Sequence, residues 1–269
     1  MTGPRRGSDP ALKGLEAAPP LGRGLLAAAL ARADAWLLEP VDRSPEEQSR
    51  EGRSRSGEPP AAEPPVEPPL RAVIAVVGLA PRCGASTVAR GLGAELAARD
   101  AAGAAIVSTR RAPAAGTLRT PSAGRLARSL SALGLGPVRA CGRICLLPAA
   151  AEQAAAATAR RLAPIVLDVP YGTPPAPSAA LADHVVLVRT PSVEPALAEV
   201  VATSLESDGR EPPLIVVNRA RDGDEDDPRT GILLPEAAGS AHLALAGYQA
   251  TGALGSALAA LAARSNPFT

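Results

Sequence analysis

Ten residues, Gly78-Leu79-Ala80-Pro81-Arg82-Cys83-Gly84-Ala85-Ser86-Thr87, lie between two apolar segments. Before them runs Ala72-Val73-Ile74-Ala75-Val76-Val77, and after them a helix-like stretch extends from Ala85 to Arg99. A glycine-bearing turn that leaves a buried strand and opens a helix gathers several backbone N–H groups around one point. The helix dipole adds positive potential there, so the arrangement suits an anion, and a phosphate in particular. The loop backbone from Arg82 through Cys83, Gly84 and Ala85 would supply the donors. Ser86 is placed to offer its hydroxyl to a Mg²⁺ ion, and Thr87 to contact a phosphate. Either hydroxyl can also serve simply to cap the helix.

The loop has no lysine. Lys13 is the chain's single lysine and lies far upstream, which leaves Arg82 as the only cation of the loop. A guanidinium meets phosphate with a planar fork rather than a point charge, so it substitutes for an ammonium with different reach and geometry. Losing a charged hydrogen bond to an anion costs about 1.5–3 kcal/mol. Asp168 closes another apolar run, Pro164-Ile165-Val166-Leu167-Asp168.

These residues need a scaffold, and the pattern supplies one. Short apolar runs rich in β-branched residues recur at 72–77, 104–108, 143–147, 164–168, 184–188, 213–217 and 232–234. They alternate with helical spacing at 85–99, 123–133, 150–161, 195–205 and 252–264. Such alternation predicts βαβ units and an α/β, Rossmann-like fold with a mainly parallel sheet flanked by helices. In such sheets ligands sit at the carboxyl ends of the strands, so the loops after Val77, Asp168 and Val217 should converge.

Composition limits the other readings. The 269-residue chain has a net charge of +1 and only 1% aromatic residues, so its core must be built from Ala, Val, Leu and Ile. The three cysteines, Cys83, Cys141 and Cys145, form neither a disulfide framework nor a zinc set and read as small core residues. No run reaches the roughly 18 apolar residues of a membrane span, so a cytoplasmic protein is expected. Residues 1–70 are rich in Pro, Glu, Arg and Ser and are expected to be disordered, with one helix-like island at 24–38 that reads either as a helix packing weakly on the core or as one docking into the groove of a protein partner. The folded domain is expected over 71–269. From Ala101 to Ala151 there is no Asp or Glu, while Arg110, Arg111, Arg119, Arg125, Arg128, Arg139 and Arg143 fall inside, which reads either as solvated helix faces in an arginine-rich composition or as a basic face for DNA. The run Asp222-Gly223-Asp224-Glu225-Asp226-Asp227 reads as a solvated acidic loop.

Five segments in order resemble the ParA/MinD family of P-loop ATPases. Gly84-Ala85-Ser86-Thr87 resembles the end of that family's Lys-Gly-Gly-x-Gly-Lys-Thr-Thr loop, and most closely the Gly-Ala-Ser-Thr variant of the CpaE/TadZ pilus-assembly proteins. Leu146-Leu147-Pro148-Ala149, Val166-Leu167-Asp168-Val169-Pro170, Ala182–Pro191 and Val216-Val217-Asn218-Arg219 resemble later segments of the family, and the resemblance implies Asp168 as a carboxylate that joins Ser86 around a metal ion. The resemblance implies ATP or ADP with Mg²⁺ as ligand, adenine contact by Asn218, and a homodimer formed across two nucleotides. Against the family pattern, Ala85 replaces the P-loop lysine and Ala80 the signature lysine. Ser108-Thr109-Arg110-Arg111 stands where the family places a catalytic Asp. With these parts missing no catalytic residue is assigned. The leading expectation is a degenerate relative that binds nucleotide without efficient hydrolysis and acts as a localisation or scaffold factor for pilus, secretion or cell-pole machinery. An ATPase switch that uses Arg82, and a nucleoid-binding protein, are the alternatives.

Overall fold

The computed structural model describes residues 69–109, 118–207, 210–221 and 230–266. The expectations for the N-terminal region with its helix at 24–38, for Arg110 and Arg111, and for the acidic run at 222–227 lie outside the described residues.

The chain builds β1 (Val73–Gly78), α1 (Ala85–Arg99), β2 (Ala104–Ser108), α2 (Pro121–Ala132), β3 (Arg139–Cys141), β4 (Ile144–Pro148), α3 (Glu152–Thr158) and β5 (Ile165–Val169). There follow α4 (Pro175–Leu181), β6 (His184–Arg189), α5 (Pro195–Glu206), β7 (Leu214–Ala220), β8 (Thr230–Pro235), α6 (Ala238–Leu245) and α7 (Gly252–Ser265). The eight strands form one sheet in the order β3-β4-β2-β5-β1-β6-β7-β8. Every pairing is parallel except that of the edge strand β3 with β4. From β1 the chain moves outward to β2 and β4, returns through β5 beside β1, and continues on the other side through β6, β7 and β8. The winding direction therefore reverses around β1, and a crevice opens at the carboxyl ends of the strands.

Both faces of the sheet are covered, which explains why the strand sequences are continuously apolar rather than alternating. Val73, Ala75 and Val77 of β1 point into one core with α2, α3, α4 and α5. Ile74 and Val76 point into the other, with α1, α6 and α7. Both cores are filled by Ala, Val, Leu and Ile with buried cysteines, as the composition requires. No disulfide joins the three cysteines. Cys145 donates its thiol hydrogen to the Ala123 carbonyl at 3.1 Å, and burial pushes its pKa up to about 12.

Helix α1 positions the phosphate loop. Twelve of its fifteen residues are buried, so it runs through the protein rather than along its surface. Gly91 and Gly93 let it approach its neighbours. A Cβ at Gly91 would stand 2.6 Å from Leu258 Cδ1 on α7, and one at Gly93 would stand 2.7 Å from Ile106 Cδ1 on β2. Held at these two points, the N-terminus of α1 stays fixed above the end of β1.

The structure adds elements that spacing did not reveal. β3 has three residues and α4 has seven, both too short for a periodic signal. α6 has apolar residues on all sides and lacks a polar face to mark it. The helix expected over 150–161 is broken into a 3₁₀ turn at Ala149–Ala151, α3, and a second 3₁₀ turn at Ala159–Arg161. Its alanine run favours a helix, yet the α-helical stretch between the two turns holds only seven residues. α2 begins two residues before the expected start, because Thr120 caps it and Pro121 occupies its first turn. Among the described residues no helix is long and apolar enough to cross a membrane.

Candidate functional site

The expected convergence of loops is present. Residues 80–87 after β1, Pro170 and Tyr171 after β5, and Arg219 near the end of β7 line a cavity of about 480 Å³. Its lining contains two arginines, Arg82 and Arg219, and no carboxylate.

The loop is shaped from its backbone outward. Gly84 has φ 87°, a left-handed conformation that glycine adopts without the steric cost other residues incur. It caps α1, and its carbonyl accepts the N–H groups of Thr87 at 2.8 Å and Val88 at 3.0 Å. The N–H groups of Gly84, Ala85 and Ser86 have no backbone acceptor among the described residues, and they stand at the positive end of a fifteen-residue helix. That is the donor arrangement an oxyanion requires.

Two buried hydrogen-bond systems hold this loop to the sheet. In the first, the Asn218 side-chain amide donates to the Cys83 carbonyl at 2.8 Å. Asn218 is 8% exposed and packs directly on Gly84, where a Cβ would come within 2.1 Å of its Nδ2. Asn218 lies beneath the loop and is not part of the cavity lining. In the second, the carboxylate of Asp168 accepts from Ser86 Oγ at 3.1 Å on Oδ1 and from Ser108 Oγ at 2.7 Å on Oδ2. Asp168 is 6% exposed, and its β5 register places it opposite Ser108 of β2 and Val76 of β1. A buried carboxylate is costly unless it is hydrogen-bonded, and the two hydroxyls meet that demand.

The other residues singled out in the sequence fall as follows. Arg82 is exposed at the mouth of the cavity, with φ 59°. Cys83 and Ala85 are buried in its wall, at 3% and 7% exposure. Ser86 is buried at the floor and Thr87 is half-buried. Three lining residues were not anticipated: Pro170, Tyr171 and Arg219. Tyr171 is 58% exposed, in a chain with two tyrosines. Arg219 has φ 62°, at a register irregularity between Asn218 and Ala220. That irregularity is invisible in the sequence, which by strand alternation gives no reason for Arg219 to face the loop. Ser108 was also missed as a partner of Asp168, although its place at the end of a strand neighbouring β5 was a usable signal.

Beside this cavity lies a second, of about 390 Å³, lined by Thr190, Pro191, Ser192, Arg219, Arg221 and Glu236. Arg219 borders both.

No family model matches the sequence, and no curated protein sequence matches it. Solved structures do match the fold. A ParA family ATPase from Chlorobium tepidum TLS superposes with a TM-score of 0.52 at 14% identity, over 72% of this chain and 98% of that one. The MinD cell division protein of Aquifex aeolicus gives 0.51 at 15% identity, over 72% and 96%. The chain therefore has a ParA/MinD-like P-loop fold.

Proposed function

We propose that this ParA/MinD-like chain binds a nucleoside di- or triphosphate at residues 82–87 without hydrolysing it efficiently, and serves as a nucleotide-responsive localisation or scaffold protein. The observation that carries the reading is the loop itself. Its amides without a backbone acceptor and its carboxylate-free cavity lining, anchored by Asn218 and Asp168, support a phosphate-binding reading in a loop that has no lysine. The adjoining recess offers room for a base and sugar next to the phosphates.

Residues fit for Mg²⁺ are also present. The hydroxyl of Ser86 and the carboxylate of Asp168 are hard oxygen donors, and Mg²⁺ takes few protein ligands beside phosphate oxygens and water. Ser86 would hold the ion, with Asp168 supporting it, and the ion would neutralise phosphate charge. Asp168 already accepts from two hydroxyls. No acidic side chain lines the main cavity to orient an attacking water. Phosphoryl transfer relies on positioning and charge stabilisation, and here the lysine and the orienting acid are both missing.

The scaffold assignment follows from this loss of chemistry. A site that keeps affinity and lacks turnover can still shift the protein between bound and free forms, which is sufficient to gate a partner. The test is thermal unfolding of the full chain with ATP, ADP and Mg²⁺, alongside measurement of phosphate release. We expect a nucleotide-dependent rise in Tm that Ser86→Ala reduces, with phosphate release at the level of that variant. No rise with any nucleotide would refute the binding. Release well above the variant's level would refute the scaffold assignment in favour of an ATPase that uses Arg82.

A further inference from the structure

The two arginines at the cavity have properties in common that set them apart. Arg82 and Arg219 are the two non-glycine residues with positive φ among the described residues. Both line the 480 Å³ cavity, and they are its only ionisable cations. Both are exposed, and neither guanidinium has an ion pair or hydrogen bond among the described residues. They come from different elements. Arg82 rises from the loop after β1, and Arg219 is turned out of β7 by the irregularity between Asn218 and Ala220. A left-handed conformation costs an ordinary residue about 1–2 kcal/mol, so these are not positions that arginine fills by backbone preference. Arg119, Arg125, Arg128 and Arg139 are likewise exposed, so it is the left-handed backbone and the shared cavity, rather than exposure, that distinguish this pair.

We infer that Arg82 and Arg219 form a two-guanidinium clamp that takes over the charge of the absent lysines. Together they hold the phosphate chain of the ligand against the amides of Gly84, Ala85 and Ser86. The inference rests on the nucleotide reading above and adds to it a residue, Arg219, and a mode of binding. Each guanidinium presents a planar fork of donors suited to two phosphate oxygens. The amides take the inner oxygens and the arginines close over the outer face. Arg219 also borders the second cavity, so it sits where the phosphate chain would meet the rest of the ligand. The charge then comes from the protein, and phosphate binding does not depend on a metal ion.

Calorimetric titration of the full chain tests this, with pyrophosphate in EDTA and with ADP and Mg²⁺ in parallel. Arg82→Asn and Arg219→Asn are the informative variants, because asparagine tolerates the left-handed backbone while removing the charge. Arg219→Lys asks whether the fork is needed, and a salt titration of the unaltered protein counts charges without any substitution. We expect pyrophosphate to bind in EDTA, each Asn variant to weaken it roughly tenfold or more, and Arg219→Lys to restore it only in part. Variants that bind as the parent does would overturn the clamp, since the amides alone would then suffice. So would a parent that binds ADP with Mg²⁺ but no pyrophosphate in EDTA, because the metal would be supplying the charge. Both results leave the nucleotide reading intact. Binding of neither ligand removes the clamp and that reading together. Arginine-sensitive pyrophosphate binding without tighter binding of ADP keeps the clamp and removes the nucleotide.

Discussion

Removing the Ser108 hydroxyl should destabilise the protein through a residue it never replaces. Asp168 is 6% exposed and accepts from Ser108 at 2.7 Å and from Ser86 at 3.1 Å. Ser108→Ala leaves Oδ2 without this donor in a site that water enters poorly. The loss of a hydrogen bond to a buried charged acceptor amounts to about 1–3 kcal/mol. In a folded body of this size each kilocalorie lowers Tm by about 2–4 °C, so a fall of roughly 3–10 °C is expected. Ser86→Ala, at the longer contact, should cost less. The double-mutant cycle with Asp168→Ala is the sharper measurement, by urea unfolding at neutral pH. In the Asp168→Ala background Ser108→Ala should be nearly neutral, because the acceptor that made the hydroxyl necessary is gone. Equal costs in both backgrounds, or no cost in the parent, would refute the claim that Ser108 acts by satisfying Asp168. Ligand binding separates the two serines further: Ser86→Ala should alter nucleotide response and Ser108→Ala should leave it largely in place.

Two further outcomes follow. Gly84→Ala should abolish ligand binding and lower stability by about 1–2 kcal/mol for the left-handed backbone alone, with more from a Cβ placed 2.1 Å from Asn218 Nδ2; a stable variant that still binds would contradict the described loop, and calorimetry with thermal unfolding decides it. Alkaline pH should destabilise the protein through Cys145, whose thiol stays protonated in the fold up to about 12 but ionises near 9 when the chain unfolds. The unfolded state then binds fewer protons than the native state, so the stability is fully present below pH 9 and falls between pH 9 and 12, by on the order of 1 kcal/mol per pH unit. Urea unfolding across that window should show a slope that Cys145→Ala flattens.

How far the sequence could be read depended on how much each feature relied on local pattern. The parallel sheet was legible because buried strands on both faces leave uninterrupted runs such as Val73–Val77. The loop was legible because Gly84 sits between such a strand and a helix. β3 and α4 were not legible, because three and seven residues carry too little periodicity to rise above composition. Within the site, Ser86 and Asp168, expected around a metal ion, lie in hydrogen-bond contact with each other. Ser108 and Arg219 escaped because their roles depend on register. Ser108 matters through the alignment of β2 with β5, and Arg219 through an irregularity in β7 that reverses where strand alternation would have aimed it. Asn218 makes the same point from the other side. Its resemblance to a base-contacting residue suggested the ligand, whereas its amide is bonded to the carbonyl of Cys83 beneath the loop.

These contacts explain how a phosphate loop can lose its lysines and keep its form. A lysine in such a loop extends toward the ligand, and the bonds that fix the backbone run the opposite way, into the sheet. Here they are Asn218 to Cys83, Ser86 to Asp168 and Ser108 to Asp168, together with the left-handed turn at Gly84. None requires a cation in the loop. Substituting Ala at 80 and 85 therefore removes charge from the site without removing the support of its amides. Under the proposed reading, affinity for phosphate would be set by the helix terminus and by the cations that the surrounding loops bring to the opening. Hydrolysis is more exposed to the change than binding, because it needs charge placed against the departing phosphate oxygens as well as a cradle for the rest. A loop in this condition should lose turnover long before it loses shape, and the order of those losses is what separates a nucleotide-gated scaffold from a protein whose fold merely preserves its descent.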